Sequence, residues 1–194
     1  MKFPDNSVIA TPRLILRPVA AGDLNALFSV NGDEEVVRYT PQSPWLTPAD
    51  GEAWYSRVSA NHESGAALQF VIVLRDGAGP IGTVVLFHFN EPVGSGEVGY
   101  SLLREHWGKG LMTEALAAFV EFAFTTCGLR RLEAQLDPRN VASARVLEKI
   151  GFIREGHQRR NYFAKGELSD TGLYGLLRED PRPREETDRQ CAGN

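Results

Sequence analysis

Apolar residues along the chain follow two patterns, one typical of strands and one typical of helices. Short apolar runs or alternations predict strands, at residues 11–18, 68–74, 81–88, 97–103, 132–136, 151–153 and 173–177. Helical spacing predicts helices, at residues 23–30, 48–61, 111–127 and 140–149. The long stretch 154–170 shows neither pattern and is predicted to be a loop between strands. The order of these elements predicts an α+β, or mixed α/β, fold in which helices cover both faces of one sheet.

Two local signals define helix boundaries. Thr47 followed by Pro48 is typical of an N-cap with proline at the first helical position. Gly128 is placed to end the helix that begins after Gly110. One domain, residues 1–180, accounts for the apolar patterns, and the polar residues 181–194 are predicted to be a disordered tail.

Composition excludes several classes of function. The 194-residue chain has a net charge of −4 and no dense Lys/Arg patch, which argues against nucleic acid as a partner. No apolar run approaches the ~20 residues of a membrane span, and the N-terminus lacks the apolar core of a signal peptide. Cys127 and Cys191 do not form a disulfide framework. We therefore expect a cytoplasmic protein.

The segment 107–112, Trp-Gly-Lys-Gly-Leu-Met, is the strongest candidate for chemistry. It places a glycine-rich turn directly before an amphipathic helix, where several backbone N–H groups have no intrahelical partner. Those donors and the positive end of the helix dipole favour an anion such as phosphate. Glycine lets a ligand approach the backbone closely, and Lys109 adds a positive charge. We call residues 107–112 the cradle and predict that they bind a pyrophosphate.

Other motifs carry less weight. Residues 94–99 satisfy G-x-G-x-x-G, but the residues that follow alternate like a strand, whereas a dinucleotide site must open a helix. The four histidines show no metal-ligand spacing, so no metal site is predicted.

Three ordered segments resemble a known family. Residues 97–102 (EVGYSL), 107–115 (WGKGLMTEA) and 140–152 (NVASARVLEKIGF) resemble the GNAT superfamily of acetyl-CoA-dependent N-acetyltransferases. The opening TPRLILRP, residues 11–18, and GELSD, residues 166–170, are similar to its RimJ/RimL branch, the ribosomal-protein N-terminal acetyltransferases and their relatives. The resemblance covers roughly residues 10–180. It implies a GNAT-like, mostly antiparallel central sheet whose fourth and fifth strands splay apart.

The resemblance also implies a coenzyme A site. The pyrophosphate would bind backbone N–H groups in the cradle, and the pantetheine arm would pair with exposed strand backbone in the splay. A backbone N–H near residues 100–102 would hold the thioester oxygen, a contact worth on the order of 3 kcal/mol in the transition state. Where relatives often have Gln or Arg three residues before the first glycine, this chain has Glu105, with Arg104 before it. The implied coenzyme ligands are Ser101, Leu102, Trp107, Gly108, Lys109, Gly110, Leu111, Met112, Asn140, Ser143 and Arg145.

The catalytic candidates are Ser143, Glu97 and Tyr100. By resemblance, Ser143 would donate a hydrogen bond to the leaving thiolate, although a serine in a first helical turn also satisfies local backbone. Glu97 would take the proton of the amine, directly or through water, unless it is simply a solvated strand-end carboxylate. Tyr100 is either a site residue or part of the core. His88 and His157 are rival bases. Asn140 anchors the splayed strand end or the pantetheine amides, caps a helix, or does both.

The implied function is transfer of an acetyl group from acetyl-CoA to a primary amine, either a protein N-terminus or a small molecule. Asp33, Glu34, Glu35 and Glu91 supply negative charge that could attract such amines. The alternative is an acyl-CoA-binding protein whose catalysis is lost or secondary. Relatives often dimerise, so a homodimer is a further implication of the resemblance.

Overall fold

The computed structural model describes residues 7–77 and 79–182 of the chain. Within them, eight strands form one sheet in the order β1-β2-β3-β4-β5-β6-β8-β7. The strands are β1 (Ile9–Ala10), β2 (Leu14–Pro18), β3 (Ala67–Leu74), β4 (Pro80–Asn90), β5 (Ser95–Leu102), β6 (Arg131–Leu136), β7 (Ile153–Ala164) and β8 (Glu167–Leu177). The α-helices are α1 (Leu24–Asn31), α2 (Glu34–Val37), α3 (Pro48–Ser64), α4 (Leu111–Thr125) and α5 (Val141–Lys149).

Helices cover both faces of the sheet, as the order of elements predicts. On one face, α4 buries its apolar stripe against alternate residues of the central strands, and Phe119 packs on Phe70 of β3 with ring centroids 5.5 Å apart. On the other face, Val71 of β3 packs with Leu27 of α1 and with Trp45. Because Phe70 and Val71 are neighbours in one strand, they point to opposite faces and serve the two cores separately.

One pair of strands separates part-way along its length. β5 and β6 are the parallel pair of the sheet, and their pairing is confined to residues 95–97 of β5 and 131–133 of β6. β5 continues to Leu102 and β6 to Leu136, so the two strands diverge beyond Glu97 and Glu133. We call this gap the splay. The resemblance places the splay between the fourth and fifth strands. Those strands are β5 and β6 in the structure, because the short strand β1 precedes the first predicted strand.

The predicted start of α3 is confirmed. Thr47 is its N-cap, Pro48 is its first residue, and the Asp50 carboxylate accepts hydrogen bonds from the Thr47 N–H at 2.8 Å and the Leu46 N–H at 2.9 Å. The helix runs beyond the predicted residue 61 and ends before Gly65, which adopts φ +72.

The prediction of a single strand over residues 11–18 is wrong at its beginning. A turn separates β1 from β2, because the Thr11 N–H donates to the Leu14 carbonyl at 3.0 Å while the Leu14 N–H donates to Thr11 Oγ1 at 3.0 Å. Only Leu14–Pro18 continues as a strand. This turn brings Arg13 to the start of α4, where it contacts Glu114 and the Lys109 carbonyl.

The predicted loop at 154–170 is wrong, since this region is the hairpin of β7 and β8. Most of β7 is exposed on both faces, so its residues show no apolar alternation to mark a strand. The turn of this hairpin lies at Lys165 and Gly166, which have φ +52 and +80. Because two-residue turns of this kind favour glycine, Gly166 is a sequence signal for the hairpin.

At the other end of the chain, Arg182 lies inside the predicted tail yet packs over the Phe124 ring at 5.0 Å. The rest of that prediction, residues 183–194, lies outside the described residues.

Candidate active site

The cradle forms a sharp turn that opens α4. Gly108 and Gly110 have φ +73 and +74, the left-handed region in which glycine is favoured. The first intrahelical hydrogen bond of α4 runs from the Glu114 N–H to the Gly110 carbonyl at 3.1 Å. The N–H groups of residues 110–113 therefore precede the hydrogen-bonded part of the helix. A Cβ on Gly108 would meet no atom within 4 Å, so this side of the turn is open to a ligand.

The N-terminal turn of the chain holds the cradle in place. Glu114 of α4 accepts hydrogen bonds from Thr11 Oγ1 at 2.6 Å and from the Arg13 N–H at 2.9 Å. Arg13 Nε also contacts Glu114 at 2.6 Å, and Arg13 Nη1 donates to the Lys109 carbonyl at 3.0 Å. Burial alone would raise the pKa of Glu114, but the Thr11 and Arg13 hydrogen bonds hold it below its usual value. Because the Lys109 carbonyl faces Arg13, the N–H groups of the turn remain available to bind an anion.

Sequence reasoning missed this role of Arg13 and the part that Glu114 plays in it. Both residues lie in the segments that carry the family resemblance, 11–18 and 107–115, and that is the one signal that could have paired them.

The indole of Trp107 ties the cradle to the splay. Trp107 Nε1 donates to the Leu102 carbonyl, the last residue of β5, at 2.7 Å. Leu111 and Met112 are buried, so they can offer only backbone N–H groups to a ligand. Arg104 and Glu105, at the position where relatives often carry Gln or Arg, have other partners: Arg104 pairs with Asp33 at 3.2 Å and Glu105 with His106 at 3.1 Å.

On the α5 side of the splay, two of the predicted catalytic residues meet. The Tyr100 hydroxyl lies 2.7 Å from Ser143 Oγ and donates to the Ser143 carbonyl at 3.1 Å. Burial raises the pKa of the Tyr100 phenol well above its ordinary value, an effect larger than the opposing one of the Ser143 hydrogen bond. The phenol is thus neutral and able to donate at neutral pH.

Asn140 is the N-cap of α5, since its Oδ1 accepts from the Ser143 N–H at 3.1 Å. Asn140 thus caps the helix, one of the two roles predicted for it, and the cap fixes the helix turn that carries Ser143. The Ser143 hydroxyl contacts Tyr100 across the splay instead of serving only local backbone.

Glu97 lies on the opposite face of the sheet from this pair. Its neighbour Val98 belongs to the core under α4, so alternation turns Glu97 toward the side of α1 to α3. Its side chain is 12% exposed, and its Oε2 lies 3.0 Å from Nδ1 of His88. It is not the solvated carboxylate that a strand-end position suggests. On the same face, the Ser101 hydroxyl lies 3.1 Å from the Thr83 hydroxyl.

Comparison with known proteins decides the family. Residues 13–153 match the acetyltransferase (GNAT) domain. The chain belongs to the GNAT family. The resemblance noted from the sequence is therefore confirmed, and the protein is an N-acetyltransferase that uses acetyl-CoA.

Individual relatives agree with this assignment. This acetyltransferase is 31% identical over 170 residues to the uncharacterized N-acetyltransferase p20 of Bacillus licheniformis, covering 88% of this chain and 96% of the relative. It is 30% identical over 141 residues to the ribosomal protein uS5-alanine N-acetyltransferase of Escherichia coli, covering 70% and 71% of the two chains. Among solved structures, RimJ of Mycobacterium smegmatis in complex with CoA-disulfide superimposes with a TM-score of 0.82 at 25% identity, covering 90% and 89%.

The geometry of the acetyltransferase suits acetyl-CoA. The open side of Gly108 and the free helix start can accept a pyrophosphate. The edge of β5 beyond Glu97, unpaired with β6, can accept the amides of a pantetheine arm. Lys109 and Arg145 are exposed, where their charges can reach phosphates.

The negative charge predicted to attract amines is partly neutralised. Asp33 pairs with Arg104 at 3.2 Å and caps α2, and Glu35 pairs with Arg38 at 3.5 Å.

A polar depression lies beside the splay, on β6, β7 and β8. Its lining residues are Arg131, Glu133, Ala134, Gln135, Glu155, Gln158, Leu173 and Tyr174.

The rival base His157 belongs to the β7–β8 hairpin, where its Nε2 lies 2.7 Å from Asp170. In the described part of the chain, no cluster of three or more metal-ligand side chains occurs, and no helix there is long and apolar enough to cross a membrane.

Proposed function

We propose that this acetyltransferase transfers the acetyl group of acetyl-CoA to a primary amine by direct attack of the amine on the thioester. The acceptor is a protein N-terminus or a small molecule. The observation that carries the proposal is the placement of two proton-handling groups around the splay. The Tyr100–Ser143 pair lies on the α5 side and Glu97 lies on the other face.

The cradle and the splay would hold the cosubstrate, which supplies an acetyl group activated as a thioester. Backbone N–H groups of residues 108–112 would bind the pyrophosphate, with Lys109 and Arg145 adding charge. The backbone of Ser101 and Leu102 would bind the pantetheine arm and the thioester oxygen. A donor already aimed at that oxygen stabilises the negative charge that develops there during attack.

Glu97 would act as the base toward the amine. An amine near neutral pH is protonated and must lose a proton before it can attack. A carboxylate that is largely removed from solvent and lies at the beginning of the splay is suited to accept that proton, directly or through one water.

Ser143 and Tyr100 would serve the leaving thiolate. Ser143 Oγ can donate to the sulfur when the Tyr100 hydroxyl hydrogen turns from the Ser143 carbonyl to Ser143 Oγ, 2.7 Å away. Because the phenol is neutral, it keeps its own hydrogen and supports the hydrogen bond that Ser143 donates to the thiolate, which takes its proton from the nitrogen of the collapsing tetrahedral intermediate. The two faces of the sheet would thus separate the group that removes a proton from the groups that stabilise the thiolate.

The acceptor would enter between α2 and the β7–β8 hairpin. These elements meet where Lys165 Nζ donates to the Val37 carbonyl at 2.7 Å. Arg139, between β6 and α5, bonds Glu167 of β8 at 2.7 Å and lies 5.9 Å from the Tyr39 ring centre. The name of the Escherichia coli relative, which specifies an alanine of ribosomal protein uS5, supports a protein N-terminus as one acceptor class.

The test follows free thiol released from acetyl-CoA in the presence of polyamines, amino acids, aminoglycosides and peptides with free N-termini. Wild type is compared with Gly108→Asp and Gly110→Asp, whose carboxylates would repel the pyrophosphate. Gly128→Asp is the matched control, because Gly128 also has positive φ and no atom within 4 Å of a Cβ, but lies past the other end of α4.

We expect one acceptor class to accelerate thiol release, and both cradle variants to raise the KM for acetyl-CoA about tenfold or more, the effect of roughly 1.4 kcal/mol. The Gly128 variant should retain the wild-type KM. Binding of acetyl-CoA without acceleration by any amine would favour the acyl-CoA-binding alternative. Failure of wild type to bind acetyl-CoA would contradict the assignment of the cradle.

A further inference from the structure

The proposed reaction releases one proton in each turnover. A protonated amine has three N–H hydrogens. The new C–N bond forms as the C–S bond breaks; one hydrogen stays on the amide nitrogen, one ends on the thiol, and the third must reach water as a proton. If Glu97 accepts that third proton, the carboxylate must then pass it to solvent before the next turnover.

The Glu97 carboxylate has little direct contact with solvent. Its side chain is 12% exposed. It is paired in the sheet with Phe87 of β4 on one side and with Glu133 of β6 on the other. A proton on Glu97 therefore needs a neighbouring group through which to leave.

His88 is that neighbour and is well exposed. Its side chain is 74% exposed, and its Nδ1 lies 3.0 Å from Glu97 Oε2. The other ring nitrogen, Nε2, is thereby left on the side away from the carboxylate. An imidazole can accept a proton on one ring nitrogen while it releases one from the other.

The backbone of β4 is distorted at His88. His88 has φ +50, which is uncommon for a residue with a side chain. The register between β4 and β5 shifts between Phe87 and Asn90. Phe87 lies directly opposite Glu97 and shares its face, so regular alternation would turn His88 to the other face. The distortion instead brings His88 back to Glu97, with its ring 4.4 Å from that of Phe87.

We propose that His88 is a positioning residue that acts through Glu97, orienting the carboxylate and carrying its proton to water. Nδ1 receives the proton from Glu97 while Nε2 releases one to solvent, and the neutral imidazole regains its starting tautomer by exchanging protons with water before the next turnover. The proposal rests on the proposed function, because it assumes that Glu97 accepts the proton of the amine.

Other charged groups lie on the strands and helices that adjoin this pair. Glu133 lies beside Glu97, but Arg131 Nε bonds it at 2.9 Å and so offsets its charge. Arg131 also binds Glu155 of β7. The remaining charged groups on adjoining elements are Glu34, Glu35 and Arg38 at α2, Asp33 with Arg104, and Glu91 in the turn after β4.

The experiment uses two variants that fit the left-handed backbone. Asn tolerates positive φ and keeps an amide that can bond Glu97, but it does not titrate near neutral pH. Gly also tolerates it and leaves room for an added imidazole. His88→Asn and His88→Gly are assayed with the best acceptor from about pH 6 to pH 9, with and without imidazole, beside His157→Gly. The control removes a histidine that also contacts a carboxylate, Asp170, at 2.7 Å.

We expect His88→Asn to lower kcat about tenfold near pH 7, with an unchanged KM for acetyl-CoA. The difference in kcat between His88→Asn and wild type should decrease toward pH 9, because more of the amine then binds without its extra proton. Added imidazole should raise the kcat of His88→Gly in a concentration-dependent way and should not raise the kcat of His157→Gly. Equal acetyl-CoA affinities in the variants and wild type would show that the fold is intact.

A His88→Asn enzyme with the wild-type kcat and pH profile, or a His88→Gly enzyme indifferent to imidazole, would overturn the role of His88 while leaving acetyl transfer established. A wild-type protein that transfers no acetyl group to any amine would instead overturn the proposed function, and the role of His88 with it.

Discussion

At the scale of single residues, the Tyr100–Ser143 pair shows how burial prepares a side chain for chemistry. A phenol in water is a weak acid, and removal from water makes its ionised form still less favourable. Tyr100 therefore keeps its proton throughout the neutral range, and its hydroxyl donates while Ser143 can donate onward. The N-cap of α5, made by Asn140, fixes the turn on which Ser143 lies.

We predict that Tyr100→Phe lowers kcat by about tenfold to a hundredfold, because Ser143 loses the donor behind it, with little change in the KM for acetyl-CoA. Ser143→Ala should have a loss of similar size. If the two act in one chain, the double variant should be no slower than the slower single variant, as steady-state kinetics of all three will show. Independent, multiplicative losses would contradict a shared chain.

At the scale of elements, the cradle depends on a contact between the start of β2 and the start of α4. The glycines allow the turn its shape, but Arg13 and Glu114 fix it. Glu114 of α4 meets three donors from the N-terminal turn, and Arg13 then reaches the Lys109 carbonyl. Coenzyme affinity should therefore depend on Glu114, whose side chain bonds the N-terminal turn.

We predict that Glu114→Gln raises the KM for acetyl-CoA about threefold to tenfold and leaves kcat nearly unchanged, because Arg13 loses its charged partner and no longer fixes the cradle. Glu121→Gln is the control, since Glu121 lies on the same helix and pairs with Arg182 at 3.2 Å, far along the helix from the cradle. Coenzyme titration and steady-state kinetics measure both. An unchanged KM in Glu114→Gln would show that the glycine turn holds its shape unaided.

At the scale of the whole molecule, carboxylates paired with arginines make the stability of the fold depend on pH. Burial raises the pKa of Asp23, but hydrogen bonds from Arg17 and from the Ala20 N–H bring it below the ordinary value. Hydrogen bonds from Arg139 lower the pKa of Asp137, and those from Arg131 lower that of Glu155. Each of these groups stabilises the fold as a carboxylate and loses that effect when protonated.

We predict that the free energy of unfolding is constant above about pH 5 and decreases as the pH falls through the folded-state pKa values, which lie below the unfolded values of about 3.9 to 4.3. Urea unfolding at several pH values measures this. Asp23→Asn should lower the free energy of unfolding by about 2 kcal/mol at pH 7, because Arg17 loses its partner, and should flatten the decrease at low pH. An equal slope in the variant and wild type would exclude Asp23 as a contributor.

Local sequence determined the elements whose signals are short-range. The glycines of the cradle, the apolar stripe of α4 and the N-cap of α3 each depend on residues a few positions apart, so their patterns are visible in the chain itself. The same holds for the central strands, whose apolar runs are buried. β7 escaped prediction because its two faces are mostly exposed and no alternation of apolar residues is required there.

Tertiary structure alone decided which residues of the site meet. Tyr100 and Ser143 are 43 residues apart, and Arg13 and Glu114 are 101 apart. Their contacts depend on the order of strands in the sheet and on the turn before β2, which no local pattern records. His88 faces Glu97 only because β4 leaves its regular pleat there. Sequence periodicity determines which face a residue prefers in a regular strand; a distortion of that strand changes the face, and only the folded sheet shows where it occurs.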